Sequence, residues 1–226
     1  MYTSPAPQSA RSAVTVPMLL QMKRNRERIA TLTAYDASFA RAMDHASNDP
    51  VLVGYSLGMV IKGGANTVSV SIDDMVYHSR CVAQGLQSAL LIADMPFQSY
   101  ATPERALDAA TALLSEGMAS MVKLEGAGFV LDAIAFLSER DIPVCAHLGL
   151  TPQSVLKLGG FKVQGRDEQA ALAIIEQAKQ VERAGAQLLV LECLPSSLAK
   201  SITETVGIPT IGIGAGPDCD GQILVS

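Results

Sequence analysis

From Ile29 onward the chain repeats one pattern: a short apolar run, a loop, then a longer stretch of helical period. The runs fall at 29–34, 51–54, 89–94, 120–125, 142–147, 187–192 and 208–213, and an eighth begins at 222–225. Several are nearly continuous in apolar residues, as strands are when helices cover one face of a parallel sheet and a packed core covers the other. Such alternation restricts the chain to an α/β fold. Tryptophan is absent and aromatics make up only 4%, so the core must rest on Ala, Val, Leu, Ile and Met.

The segments between the runs carry helix signals. Thr102-Pro103-Glu104 offers an N-cap followed by proline at the first helical position, with Gly117 near the far end. Ser71 to Asp74 has the spacing of a capping box, with aspartate where glutamate is usual. Within 166–184, Ala171, Ile174, Ile175, Ala178 and Val181 form one stripe that stops at Gly185. Helices are also expected at 35–47, 129–140 and 197–206.

Two architectures accommodate this order, a doubly wound open sheet and a (β/α)8 barrel. Asp94, Lys123, Glu125, His147 and Glu192 decide between them. They stand at the C-terminal ends of four different runs. A barrel gathers those ends into one ring, whereas an open sheet spreads them along a line. The expected fold is therefore a barrel, forming a single domain over 1–226 with a flexible tail at 1–15 and cut short after strand 8. Its 226 residues are just enough, since such barrels run from about 200 residues upward.

Composition removes several functions. Hydrophobic residues are 49% and charged residues 17%, which excludes intrinsic disorder. The net charge is −5, and the one basic cluster, Lys23-Arg24-Asn25-Arg26-Glu27-Arg28, is interrupted by an acid. It reads as a solvated helix end, and no nucleic-acid partner is expected. No apolar stretch reaches membrane-spanning length, and residues 1–14 lack a signal core, so a cytoplasmic protein is expected. Cys81, Cys145, Cys193 and Cys219 form no CxxC pair and read as free, mostly buried thiols instead of a zinc or disulfide site.

Chemistry points to the run ends. Lys123 and Glu125 are two residues apart, so they face the same side of one strand. Charges placed in an apolar strand must be paired, desolvated or catalytic. Asp94 precedes Met95-Pro96 and reads equally as a loop cap; His147 ends an apolar strand and reads as a functional group, with a structural histidine as the alternative. Glu192 closes Leu188-Leu189-Val190-Leu191, where an uncompensated carboxylate is expensive. Taken together they suit a small anionic substrate and a hard divalent ion held by Asp94 and Glu125. An ion chelated by a keto acid would stabilise an enolate, with Glu192 as the acid/base group. The glycines of Gly212-Ile213-Gly214-Ala215-Gly216 allow either close approach to a ligand or a tight barrel turn.

These residues, in this order, resemble the ketopantoate hydroxymethyltransferase family. The resemblance is carried by Thr31-Leu32-Thr33-Ala34-Tyr35-Asp36, Ser56-Leu57-Gly58-Met59-Val60, Asp94-Met95-Pro96-Phe97 and Met121-Val122-Lys123-Leu124-Glu125-Gly126. It continues through His147-Leu148-Gly149-Leu150-Thr151-Pro152-Gln153-Ser154, Gly159-Gly160-Phe161-Lys162-Val163-Gln164-Gly165-Arg166, Leu189-Val190-Leu191-Glu192-Cys193 and the glycine run. The resemblance implies a TIM barrel of the phosphoenolpyruvate/pyruvate type, with further helices beyond the eighth strand, magnesium as cofactor and a homodecamer. It implies transfer of a one-carbon unit from 5,10-methylenetetrahydrofolate to 3-methyl-2-oxobutanoate, giving 2-dehydropantoate. By the same resemblance Asp94 and Glu125 belong to the metal site; Ser56, Asp94, Lys123 and His147 bind substrate; Glu192 transfers the proton.

One position departs from the pattern. The family motif Gly-Asp-Ser-Leu-Gly-Met reads Gly54-Tyr55-Ser56-Leu57-Gly58-Met59 here, so Tyr55 stands where the resemblance implies a further metal-site carboxylate. The loop Gly63-Gly64-Ala65-Asn66-Thr67-Val68-Ser69-Val70 departs as well. Two further readings follow from these differences: a catalytically impaired paralogue with a structural or regulatory role, and a related keto acid lyase or transferase with altered substrate preference.

Overall fold

The computed structural model describes residues 11–226 apart from Phe161, with the Leu158 side chain left aside. Helix α1 (Val16–Asn25) leads into β1 (Ile29–Thr33), α2 (Ala37–His45), β2 (Pro50–Val53) and the short α3 (Leu57–Val60). Then come α4 (Ile72–Ala83), β3 (Leu90–Asp94), α5 (Pro103–Ser115), β4 (Met121–Glu125), α6 (Val130–Ser138) and β5 (Val144–Gly149). A 3-10 turn (Pro152–Ser154) and α7 (Val155–Leu158) precede α8 (Glu168–Arg183), β6 (Leu188–Glu192), α9 (Ser196–Thr205), β7 (Thr210–Ile213) and β8 (Gly221–Leu224). The eight strands are parallel and closed in sequence order, with β8 pairing both β7 and β1.

All eight expected strands and the expected helices are present, with shifted ends. Strand β5 begins at Val144 and β7 at Thr210, each just after the proline of its run, Pro143 and Pro209. Proline has no N–H for a ladder, so it stands at or before a strand's first residue. The Thr102 and Ser71 caps form as expected: Thr102 accepts from Arg105 N, and Ser71 and Asp74 make a reciprocal box. Helices α3 and α7 are four residues each, too short to leave a periodic signal.

Strand alternation produces two apolar layers. On β4, Val122 and Leu124 point outward to the helices, while Met121 points into the barrel. The interior layer adds Ile29, Leu90, Ile92, Cys145, Leu188, Val190, Ile211 and Ile223. Leu19 of α1 and Val14 join the same interior cluster. This layer fills the barrel below the polar ring, so the site sits on a packed floor.

Two expectations near the N-terminus need revision. Of the tail expected at 1–15, residues 1–10 lie outside the described residues, but 11–15 are docked. Arg11 pairs with Asp49 and donates to Asn48 O, while Val14 N donates to Ser88 O at 2.7 Å. The basic cluster is not simply a solvated helix end either. Lys23 Nζ donates to Asp220 Oδ2 at 2.8 Å and Thr203 O at 2.9 Å, and Arg28 donates to Pro217 O and Cys219 O. These cations satisfy the Asp220 carboxylate and two carbonyls just before β8, and one carbonyl near the end of α9. Composition gave no sign of that, because the acceptors are distant in sequence.

Candidate active site

Strand register brings the polar residues together. Asp94 lies opposite Lys123 on β3–β4, Glu125 opposite His147 on β4–β5, and Gly149 opposite Glu192 on β5–β6. Neighbouring strands are about 4.8 Å apart, so each pair falls within reach of a contact. A cavity of about 270 Å³ opens above them, lined by Tyr55, Ser56, Asp94, Lys123, His147 and Glu192 and walled by Met59, Val60, Val190, Ile213 and Ile223. Glu125 lines a second cavity, with Tyr100, Phe129 and Gln153.

Lys123 is 3% exposed, and its Nζ lies 2.6 Å from Asp94 Oδ1. Tyr55 N donates to Asp94 Oδ2 at 3.1 Å, so both carboxylate oxygens have partners. The Lys123 ammonium also stands 5.0 Å from the centre of the Tyr55 ring, a cation–π contact. Burial pushes the Asp94 carboxyl up from its ordinary value, and the Lys123 ammonium opposes that shift. Tyr55 is itself buried. Ser56 Oγ and Tyr35 OH share a hydrogen bond of 2.8 Å, which fixes the serine at the cavity edge.

His147 stands between two carboxyl groups. Its Nδ1 is 3.5 Å from Glu125 Oε1 and its Nε2 is 3.3 Å from Glu192 Oε2. Neither contact is a formed hydrogen bond, so both ring nitrogens and Glu125 Oε1 are buried polar atoms without a partner. Burial holds the imidazole below its ordinary value, and the nearby Lys123 charge adds to that, so the ring is neutral near pH 7. Burial pushes the Glu125 carboxyl well up, opposed by the bond from Gln153 N. Unpartnered buried atoms of this kind are costly and mark where a ligand would bind.

Two residues that the sequence did not single out hold Glu125 in place. Gln153 donates from N to Glu125 Oε2 at 3.1 Å and from Nε2 to Met95 O at 2.8 Å. Tyr100 OH donates to Gln153 Oε1 at 2.8 Å and accepts from Glu125 N at 3.4 Å. A lone glutamine and a lone tyrosine carry no pattern; only the meeting of the β3–α5 loop, the 3-10 turn and the end of β4 gives them a role. The glycine run resolves as a tight turn. Gly214 and Gly216 have φ of 60° and 79°, and a side chain at Gly216 would collide with Ser196. The four cysteines are free, with burial raising the Cys145 thiol to about 12.

A divalent ion finds an incomplete donor set. Asp94 and the unpartnered Glu125 Oε1 are suitable hard oxygens, and the orphaned atom is the feature that fits an ion. Among the described residues no three His, Cys, Asp or Glu groups are placed to hold a metal by themselves. The residues fit an ion that draws its remaining ligands from water and substrate, as magnesium commonly does. No helix among the described residues is long and apolar enough to cross a membrane.

A closed parallel barrel with acid, base and ammonium groups at the C-terminal strand ends defines an enzyme of the TIM-barrel class. The sequence profile of ketopantoate hydroxymethyltransferase matches residues 13–226, and the chain belongs to that family. It is 60% identical over 214 residues to a 3-methyl-2-oxobutanoate hydroxymethyltransferase of Shewanella loihica, covering 95% of this chain and 81% of the relative. The corresponding protein of Xylella fastidiosa is 60% identical over 211 residues, covering 93% and 77%. Among solved structures, phosphonopyruvate hydrolase in complex with oxalate and Mg2+ has a TM-score of 0.70 at 14% identity, covering 93% of this chain and 80% of that one. A 2,3-dimethylmalate lyase of the PEP mutase/isocitrate lyase superfamily has a TM-score of 0.65 at 16% identity, covering 92% and 80%. At such identities the likeness establishes the barrel type alone.

Proposed function

We propose that the cavity carries out hydroxymethyl transfer to 3-methyl-2-oxobutanoate, with Glu192 as the group that moves the proton. Family membership supports the reaction. The observation that ties it to this cavity is the Glu192–His147–Glu125 contact chain beside the Lys123–Asp94 pair. 5,10-Methylenetetrahydrofolate, the keto acid and water give 2-dehydropantoate and tetrahydrofolate, so the new carbon–carbon bond forms at the carbon next to the keto group.

The chain's own residues account for three requirements. Lys123 and Ser56 present donors to an anionic keto acid, in a cavity whose apolar walls suit its two methyl groups. Glu192 is 18% exposed in its side chain, open enough to reach substrate yet held against His147. His147 Nε2 lies 3.3 Å from Glu192 Oε2 and orients that carboxyl toward the cavity. Magnesium, bound through Asp94 and Glu125, would supply electron withdrawal from the keto oxygen and so lower the acidity barrier at the neighbouring carbon.

The same proposal makes the protein a cytoplasmic enzyme of small-molecule partners. It extends to a homo-oligomer, the assembly that the family resemblance implies. Sedimentation velocity tests the assembly. Release of tetrahydrofolate that depends on 3-methyl-2-oxobutanoate tests the reaction. Folded protein that turns over neither co-substrate, with or without magnesium, would contradict it.

A further inference from the structure

We infer that a divalent ion enters this site only together with the keto acid, because Tyr55 and Lys123 leave the free enzyme without an ion site. The inference rests on the functional reading above and concerns the order in which the site fills.

Four observations carry it. Both oxygens of Asp94 are already engaged, Oδ1 by Lys123 Nζ at 2.6 Å and Oδ2 by Tyr55 N at 3.1 Å. The Lys123 ammonium is itself a buried cation beside the carboxylate a metal would use, and it repels an incoming dication in a site where screening is weak. Tyr55 turns the face of its ring to that ammonium at 5.0 Å, so this position supplies an aromatic surface in place of a carboxylate. Glu125 Oε1, in contrast, is buried with no hydrogen-bond partner, a donor oxygen waiting for a ligand.

A hexacoordinate ion needs six oxygens. One from Asp94 and one from Glu125 leave four to find, against the repulsion of Lys123. The keto acid changes both sides of this balance. Its keto and carboxylate oxygens provide two ligands, and its negative charge gives Lys123 a second partner, which releases Asp94 Oδ1. Ion and substrate therefore bind with positive coupling, and linkage makes the effect equal in both directions.

The test is a titration of the full chain with Mn2+, read as loss of the free-ion electron paramagnetic resonance signal. A parallel calorimetric titration uses 3-methyl-2-oxobutanoate. Without keto acid the ion signal should persist; with it, ion affinity should rise by about tenfold or more, within the usual range of coupling between sites. Keto acid affinity should rise by the same factor when Mn2+ is present. Y55D should bind the ion without keto acid. Y55F, which removes the phenol oxygen and keeps the ring, should retain the native coupling.

Tight ion binding by the free native chain would overturn the inference. Keto acid binding with no ion uptake would overturn it too, leaving Lys123 as the sole cation of the site. Loss of ion uptake in the keto acid complex of Y55F would make the phenol a ligand and refute the role given to Tyr55. No binding of the keto acid under any condition would instead refute the functional reading itself.

Discussion

Lys123 is held in the barrel by partners on two elements, Asp94 across the strand pair and Tyr55 above it. Removing one partner of such a buried pair leaves an uncompensated charge, at a cost of about 3–5 kcal/mol. Lys123→Met should therefore lower stability to urea by about that amount, while Lys123→Met combined with Asp94→Asn should recover much of it. Equal losses in single and double variants would show that the pair is not coupled. Glu192 has the opposite profile, since its carboxylate meets the cavity and makes no hydrogen bond within its own strand. Glu192→Gln should reduce kcat by about 10²–10⁴-fold and leave the calorimetric Kd for keto acid nearly unchanged. A matching loss in Kd would make it a binding group. Charged residues closing apolar runs announced themselves in the sequence because desolvation makes them costly. Tyr100 and Gln153 did not, since neither type is unusual in a loop and their partners are 25 and 28 residues away.

Elements are fixed by local chemistry that is checkable separately from the site. The α4 capping box joins Ser71 Oγ, Ser71 N and Lys62 Nζ to Asp74, whose carboxyl is held down at about 2, chiefly by Lys62. A depressed carboxyl stabilises the fold above its unfolded value, near 4. That contribution is lost as pH falls through the folded value, so the window lies between about pH 4 and 2. Acid titration of Asp74→Asn should show a shallower loss of stability across this window than the native chain. Ser71→Ala should cost about 1 kcal/mol in denaturant unfolding. Gly149 connects an element to the chemistry: its φ is 97°, and a side chain there would run into Glu192 O. Gly149→Ala should displace the end of β6, with a larger loss of kcat than of helix content by circular dichroism. The caps were visible as sequence motifs because both partners lie within three residues. The Gly149 constraint was not, because the atom that imposes it lies 43 positions away on the next strand.

At the scale of the whole molecule, the barrel separates a packed apolar floor from a reacting end. Leu19 is 1% exposed and packs with Ile29 and the interior layer, while Lys23 ties α1 through Asp220 to the start of β8, the strand that closes the barrel on β1. Leu19→Ala should cost about 2–5 kcal/mol, seen as a lower midpoint of thermal unfolding, with no change in keto acid Kd because the site lies at the other end. A changed Kd would show that the floor and the site are coupled. The sequence by itself determined the strand and helix order, the two-faced burial of the strands and the identity of the charged ring. Each follows from periodicity and from the cost of desolvating a charge, which are properties of neighbours along the chain. Only the tertiary structure decided that the basic cluster clamps the segment before β8 and the end of α9, that residues 11–15 are docked, and that Tyr55 sits over Lys123 while both oxygens of Asp94 are engaged. Those outcomes depend on register and closure, which bring together residues tens to nearly two hundred positions apart, and no local pattern encodes which of them will meet.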